Sequence, residues 1–228
     1  MIHGGFWRSA YNLDHMGQLC SDLTRRGIVT CNLEYRRVGD AGGGWPGTFQ
    51  DVENGVEHVL KTLASNDRTD TSRCTVLGFS AGGHLALWLA CRHRVLEDSA
   101  LYSGPKARVD STISLAGVSD LRAAWKEKLG DGVVKELIGG TPETHPGRYD
   151  AGSPIELLPS GAKQALIHGT LDDTVPFSQS DNFFRRAEQL GDPVNLVRLE
   201  GTGHFELIDP KSRIWPQVVE AVLHAVGH

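Results

Sequence analysis

Several things are scarce in this sequence. No apolar run approaches the ~20 residues needed to span a bilayer. No charged start followed by an apolar stretch marks a secretory leader, so the expected setting is cytoplasmic. Positive charge is in deficit, with 23 Lys and Arg against 28 Asp and Glu and a formal net charge of −5. That excludes the basic footprint of a nucleic-acid binder and the polybasic patch of a protein held on anionic membranes. Cysteine is limited to Cys20, Cys31, Cys74 and Cys91. Their positions fall in expected helices and strands, as for buried free thiols in a reducing compartment. No Cys/His spacing resembles a zinc site, so no metal or cofactor is expected. Internal repeats, low-complexity tracts and interdomain linkers are also absent, and 228 residues suit one α/β domain over 1–228.

What is present alternates. Leu13, Met16, Leu19, Cys20 and Leu23 share one face of an expected helix over 13–26, with Gly27 as its C-terminal stop. A strand is expected at 28–35. Beyond the Gly42-Gly43-Gly44 and Trp45-Pro46 loop, Thr48 is placed as the cap of a helix carrying Phe49, Val52, Val56, Val59, Leu60 and Leu63 on one side. Strands at 73–79, 109–116, 164–168 and 194–199 follow. Helices are expected after Ser80, over 178–190 and over 212–226. The stretch 119–159 breaks the rhythm with short helices and prolines and reads as a small cap excursion. Such alternation means a mostly parallel sheet with helices on both faces.

The sharpest local signal is Gly78-Phe79-Ser80-Ala81-Gly82-Gly83-His84, preceded by an apolar strand and followed by an apolar helical run. In that context a G-x-S-x-G match is a nucleophile elbow, which lifts a weakly nucleophilic hydroxyl clear of the sheet. Functional groups of a parallel α/β sheet gather past the carboxyl ends of strands. Two further strand ends carry Asp172 and Asp173, and His204. The chain order Ser, Asp, His is the one expected of a triad on such a sheet, with His204 as base and an aspartate fixing its tautomer. His84 and His168 are weaker choices for the base, the first one helical turn beyond Ser80 and the second ending the strand before the acid. At the start, His3-Gly4-Gly5-Phe6-Trp7 offers backbone N–H groups of Gly5 or Phe6 which, with that of Ala81, would form an oxyanion hole.

These residues resemble the α/β-hydrolase family and, within it, the esterase/lipase branch with an HGG-x-W loop and a G-x-S-A-G-G-H elbow, shared by kynurenine formamidase-like and feruloyl- or acetyl-esterase-like proteins. The resemblance covers His3–Trp7, Glu34-Tyr35-Arg36, Gly78–His84, His168–Pro176 and Gly203-His204-Phe205. It implies that Ser80 is the nucleophile, Asp172 the acid and His204 the base, with Asp173 a neighbouring solvent-facing carboxylate. The implied activity is hydrolysis of small carboxylic esters through an acyl-enzyme. The alternatives are an amidase of the formamidase type and, in a different class, a non-catalytic binding module on the same fold. Trp7 and Trp125 are expected to touch substrate, with a packing role as the competing assignment for Trp125.

Relative to the resemblance, the N-terminal strands are missing. Family members carry three strands before the HGG loop, and only Ile2 stands where the third belongs, between the strands at 28–35 and 73–79. Those two strands must then pair directly, drawing the loop away from Ser80, or leave a gap. A gap would expose apolar strand edges and invite a second chain, giving a homo-oligomer. The 228-residue form is accordingly expected to be less stable, less active or more oligomeric than one extended upstream.

Overall fold

The computed structural model describes residues 1–65, 74–104, 109 and 111–227. The expected strand start at Arg73 and the connection near Lys106 lie outside them. Four parallel strands form one sheet in the order β1 (Val76–Phe79), β2 (Ser111–Leu115), β3 (Lys163–Gly169) and β4 (Val194–Leu199). Parallel neighbours require a crossover each time, and the helices supply it. These are α1 (Gly17–Arg25), α2 (Gly47–Ala64), α3 (Ala81–Cys91), α4 (Leu121–Lys126), α5 (Leu129–Ile138), α6 (Pro146–Gly152), α7 (Ser178–Gln189) and α8 (Trp215–Ala225).

Side chains leave a strand on alternate faces, and here each face has its own core. Leu77 and Phe79, Ile113 and Leu115, and Ala165 and Ile167 pack with Met16, Leu19 and Leu23 before and within α1 and with Val218 and Val222 of α8. Val76 and Leu166 point the other way, into a cluster with Phe49 and Val52 of α2, Leu85 and Trp88 of α3, and Phe183 of α7. The short helices α4 to α6 close this second core with Leu121, Val133, Val134 and Tyr149. Every residue of α3 is buried, as expected of a helix that is apolar on all sides. It lies so close to β1 that a Cβ on Gly78 would sit 2.0 Å from the Gly82 carbonyl oxygen, and one on Gly82 2.1 Å from that of Ile2. The glycines of the elbow are therefore fixed by packing.

The expected strand at 28–35 is not a ladder. Ile2 alone bridges Leu33 on one side and Gly78 on the other, with Ile2 N donating to Leu77 O and Phe79 N to Ile2 O. Met1 N donates to Cys31 O and Leu33 N to Met1 O, and beyond these contacts 28–35 forms no ladder among the described residues. The two flanking segments do not pair directly, and the loop after Ile2 remains beside Ser80. An apolar slot of about 350 Å³ opens next to Met1, lined by Leu33, Val59, Leu63, Cys74 and Val76 among others. It holds none of Ser80, Asp172 and His204.

Two smaller expectations are corrected. Thr48 is inside the first turn of α2, whose N-cap position is Pro46. Its hydroxyl instead donates to Arg36 O and accepts from Gly44 N, tying the glycine loop to the helix. Of the four free cysteines only Cys91 is buried; the other three are half-buried, and Cys31 and Cys74 fall outside regular elements. No helix among the described residues is long and apolar enough to cross a membrane.

Candidate active site

Ser80 sits where β1 ends and α3 begins. Its N–H donates to Leu115 O of β2 and its carbonyl accepts from His84 N in the first turn of the helix. Serving both elements in one residue forces φ 55° and ψ −119°, a conformation that costs a non-glycine residue of order 1–3 kcal/mol. The neighbouring structure holds it there, so the elbow is rigid.

The loop at 3–7 backs onto this turn. A Cβ on Gly4 would lie 3.0 Å from Ser80 Cβ. Gly5, Phe6 and Trp7 have φ of 107°, 51° and 54° in succession, which turns successive peptide planes in a way an extended loop does not. Three anchors hold this shape. Tyr35 stacks on the His3 ring at 4.4 Å and donates its hydroxyl to His3 O at 2.9 Å. Glu34 Oε1 lies 2.8 Å from His3 Nε2. Val38 N donates to Trp7 O, and Ser9 N to Val38 O.

Trp7 is fully buried, and its indole N–H donates to His84 Nδ1 at 3.2 Å. His84 Nε2 in turn donates to Gly152 O at 2.9 Å. Trp7 thus presents no surface to a ligand and fastens the loop to α3 and α6. Trp125 is partly buried against the same core, as is Phe6, whose ring packs on Gly130 of α5.

His84 is a neutral ring in this setting. Burial pushes its pKa down to about 4, against a smaller opposing effect of the Gly152 hydrogen bond. The unfolded chain therefore takes up a proton between about pH 6.5 and about pH 4 that the folded chain refuses. Stability must fall as pH drops through that window, by about 3 kcal/mol in total from this group. Denaturant midpoints measured from pH 7 to 4.5 should show this loss, and a His84→Gln variant should show a flatter profile. An unchanged slope in the variant would assign the acid sensitivity elsewhere.

Beyond β3, Asp172 is saturated with donors. Its Oδ1 accepts from Thr174 N at 2.9 Å and Val175 N at 2.8 Å. Its Oδ2 accepts from His204 Nδ1 at 2.6 Å, with His168 Nε2 at 3.2 Å. The carboxylate side chain is fully buried and that of His204 nearly so. Burial alone would raise the Asp172 pKa, but hydrogen bonds from His168 and His204 hold it well below the usual carboxylate range. Asp173 is exposed and bonds only to the Thr174 hydroxyl among its described contacts.

His168 is the residue that sequence reasoning undervalued. Its Nε2 faces two acceptors, Val175 O at 3.0 Å and Asp172, so it carries the proton, and Nδ1 accepts from Ser180 Oγ at 2.8 Å. A second histidine therefore orients the carboxylate from behind. The available signal was its placement four residues before the acid, in His168-Gly169-Thr170-Leu171-Asp172.

Because His204 spends Nδ1 on Asp172, Nε2 is left for a second partner. The His204 ring packs 4.6 Å from that of Phe79, the residue before Ser80. Serine, histidine and aspartate thus share one end of the sheet. Among the described residues no cluster of side chains could hold a metal ion.

A family model described as BD-FAE matches residues 1–186. The probable isoprenylcysteine alpha-carbonyl methylesterase ICME of Oryza sativa subsp. japonica is 26% identical over 99% of this chain and 56% of its own length. The uncharacterized peptidase YtmA of Bacillus subtilis (strain 168) is 28% identical over 79% of this chain and 66% of its own. The chain spans about half the length of the rice relatives it matches. Among solved structures, a truncated form of a carbohydrate esterase from gut microbiota superposes with TM-score 0.77 at 20% identity, covering 100% of this chain and 85% of that one. Esterase Est2 of Thermogutta terrifontis gives 0.76 at 23%, covering 98% and 78%. The architecture is the α/β-hydrolase fold.

Proposed function

Because the chain belongs to the BD-FAE family, whose model spans residues 1–186, we propose that it is a serine hydrolase cleaving small carboxylic esters. The observation that carries this reading is the 2.6 Å hydrogen bond from His204 Nδ1 to a donor-saturated Asp172, on the sheet end that also bears the strained Ser80. Ser80 Oγ attacks the ester carbonyl carbon while His204 Nε2 takes its proton. Asp172 stabilises the resulting imidazolium and remains ionised. The carbonyl oxygen becomes an oxyanion facing the N–H groups of Ala81 and of Gly5 or Phe6, and each such donor is worth ~2.7–4 kcal/mol. The C–O bond then breaks, His204 protonates the departing alcohol, and water repeats the sequence to release the acid. His168 acts through Asp172 as a positioning residue.

Amide hydrolysis uses the same machinery, and a methylesterase and a peptidase both occur among the named relatives. An amine is the poorer leaving group, so phenyl acetate should be hydrolysed far faster than acetanilide. A higher kcat/KM for acetanilide would overturn the esterase reading in favour of an amidase. Absence of turnover with both, in folded protein, would support a binding module.

A further inference from the structure

Three rings that the triad does not use, Tyr11, His15 and Phe205, form a row that ends at its catalytic histidine. Tyr11 and Phe205 are among the exposed large apolar residues, at 46% and 56% exposure. Single apolar residues on a surface need no explanation, but these two are joined through His15. Ring centroids lie 6.1 Å apart from Tyr11 to His15 and 6.1 Å from His15 to Phe205. From Phe205 to His204 the separation is 5.1 Å. Phe79 floors the group, 5.7 Å from His15 and 6.2 Å from Phe205. At the other end Tyr11 lies against the oxyanion loop, where a Cβ on Gly5 would fall 2.4 Å from Tyr11 Cβ. Burial, together with the neighbouring His3 and His204, pulls the His15 pKa below the ordinary histidine range, so its ring sits in this row uncharged. Its Nδ1 is a buried polar atom with no hydrogen-bond partner.

The row therefore runs from the oxyanion loop to the base. A tetrahedral carbon on Ser80 Oγ has three other substituents. The oxyanion points to the loop, the leaving oxygen to His204 Nε2, and the acyl carbon away from both. A surface that borders the loop and the base faces the leaving oxygen and whatever it carries. We infer that Tyr11, His15 and Phe205 form a subsite for the alcohol portion of the ester, selecting a flat apolar alcohol. This rests on the triad reading above. Aromatic faces accept flat apolar groups by stacking and by edge contacts, beyond what simple burial gives.

The test holds the acyl group constant. Benzyl acetate and ethyl acetate differ only in the alcohol, and ethyl phenylacetate carries the ring on the acyl side. The wild-type protein should show a higher kcat/KM for benzyl acetate than for ethyl acetate. Tyr11→Ala and Phe205→Ala should each lower that ratio by roughly three- to tenfold, the size of one aromatic contact. They should leave the ratio of ethyl phenylacetate to ethyl acetate unchanged. Phe205→Leu, which keeps bulk beside His204, should lower the benzyl ratio by less and serves if the alanine variant does not fold. A benzyl ratio unaltered in all variants would overturn the subsite, because a merely structural role slows all three esters alike. A fall in the phenylacetate ratio instead would also overturn it, placing the row on the acyl side. Failure of the wild-type protein to hydrolyse any of the three would overturn the esterase reading itself.

Discussion

Ser80→Ala is expected to reduce hydrolysis of nitrophenyl acetate by at least about 10⁴-fold, because the variant has no atom on which to build the acyl-enzyme. The fold should survive. Ser80 is buried and strained at φ 55°, and alanine occupies the same backbone region at no greater steric cost. The serine backbone, not its hydroxyl, bonds to Leu115 O and His84 N. Circular dichroism and the unfolding midpoint should therefore match the wild type. A folded variant that keeps most of its activity would remove Ser80 from the reaction.

The second large effect separates two adjacent carboxylates. Asp172→Asn should cost about 10⁴-fold in kcat, since an amide at this position favours the wrong imidazole tautomer. The geometry sharpens the point. Asp172 Oδ2 meets the N–H groups of both His204 and His168, so an asparagine must set an NH₂ group against one of these donors or against the backbone N–H groups of Thr174 and Val175. The first choice turns His204 to the wrong tautomer, and the second sets the amide against the two backbone donors that hold the side chain in place. Asp173→Asn keeps an amide oxygen able to accept from the Thr174 hydroxyl and should change kcat by less than about twofold, as surface substitutions usually do. Equal losses in the two variants would argue against Asp172 as the orienting acid.

The sequence exposed the parts of the site that depend on strand ends. Ser80, Asp172 and His204 each follow an apolar run by a residue or a few, so their shared end of the sheet follows from alternation alone. The elbow glycines were legible for the same reason, and Gly78 and Gly82 prove to be limited by backbone oxygens. What was illegible depends on contacts between distant segments. Trp7, placed against substrate by its loop, is turned inward by His84 of α3. Thr48 resembles a helix cap but is recruited by Arg36 and Gly44. The segment at 28–35 has the right composition, yet among the described residues it meets the sheet only through the isolated bridge to Ile2 and the bonds of Met1 to Cys31 and Leu33, which is too little for a ladder. The ring row joins Tyr11 and His15 to Phe205 at the far end of the chain, a proximity that no local pattern encodes.

The most direct test of the central claim is covalent. A fluorophosphonate reacts with a serine only where a base withdraws its proton and an oxyanion site accepts the phosphoryl oxygen. Intact-mass and peptide analysis after labelling should show one adduct per chain, on the peptide carrying Ser80, and none in Ser80→Ala. No adduct on folded protein, or an adduct on another residue that persists in Ser80→Ala, would contradict the account.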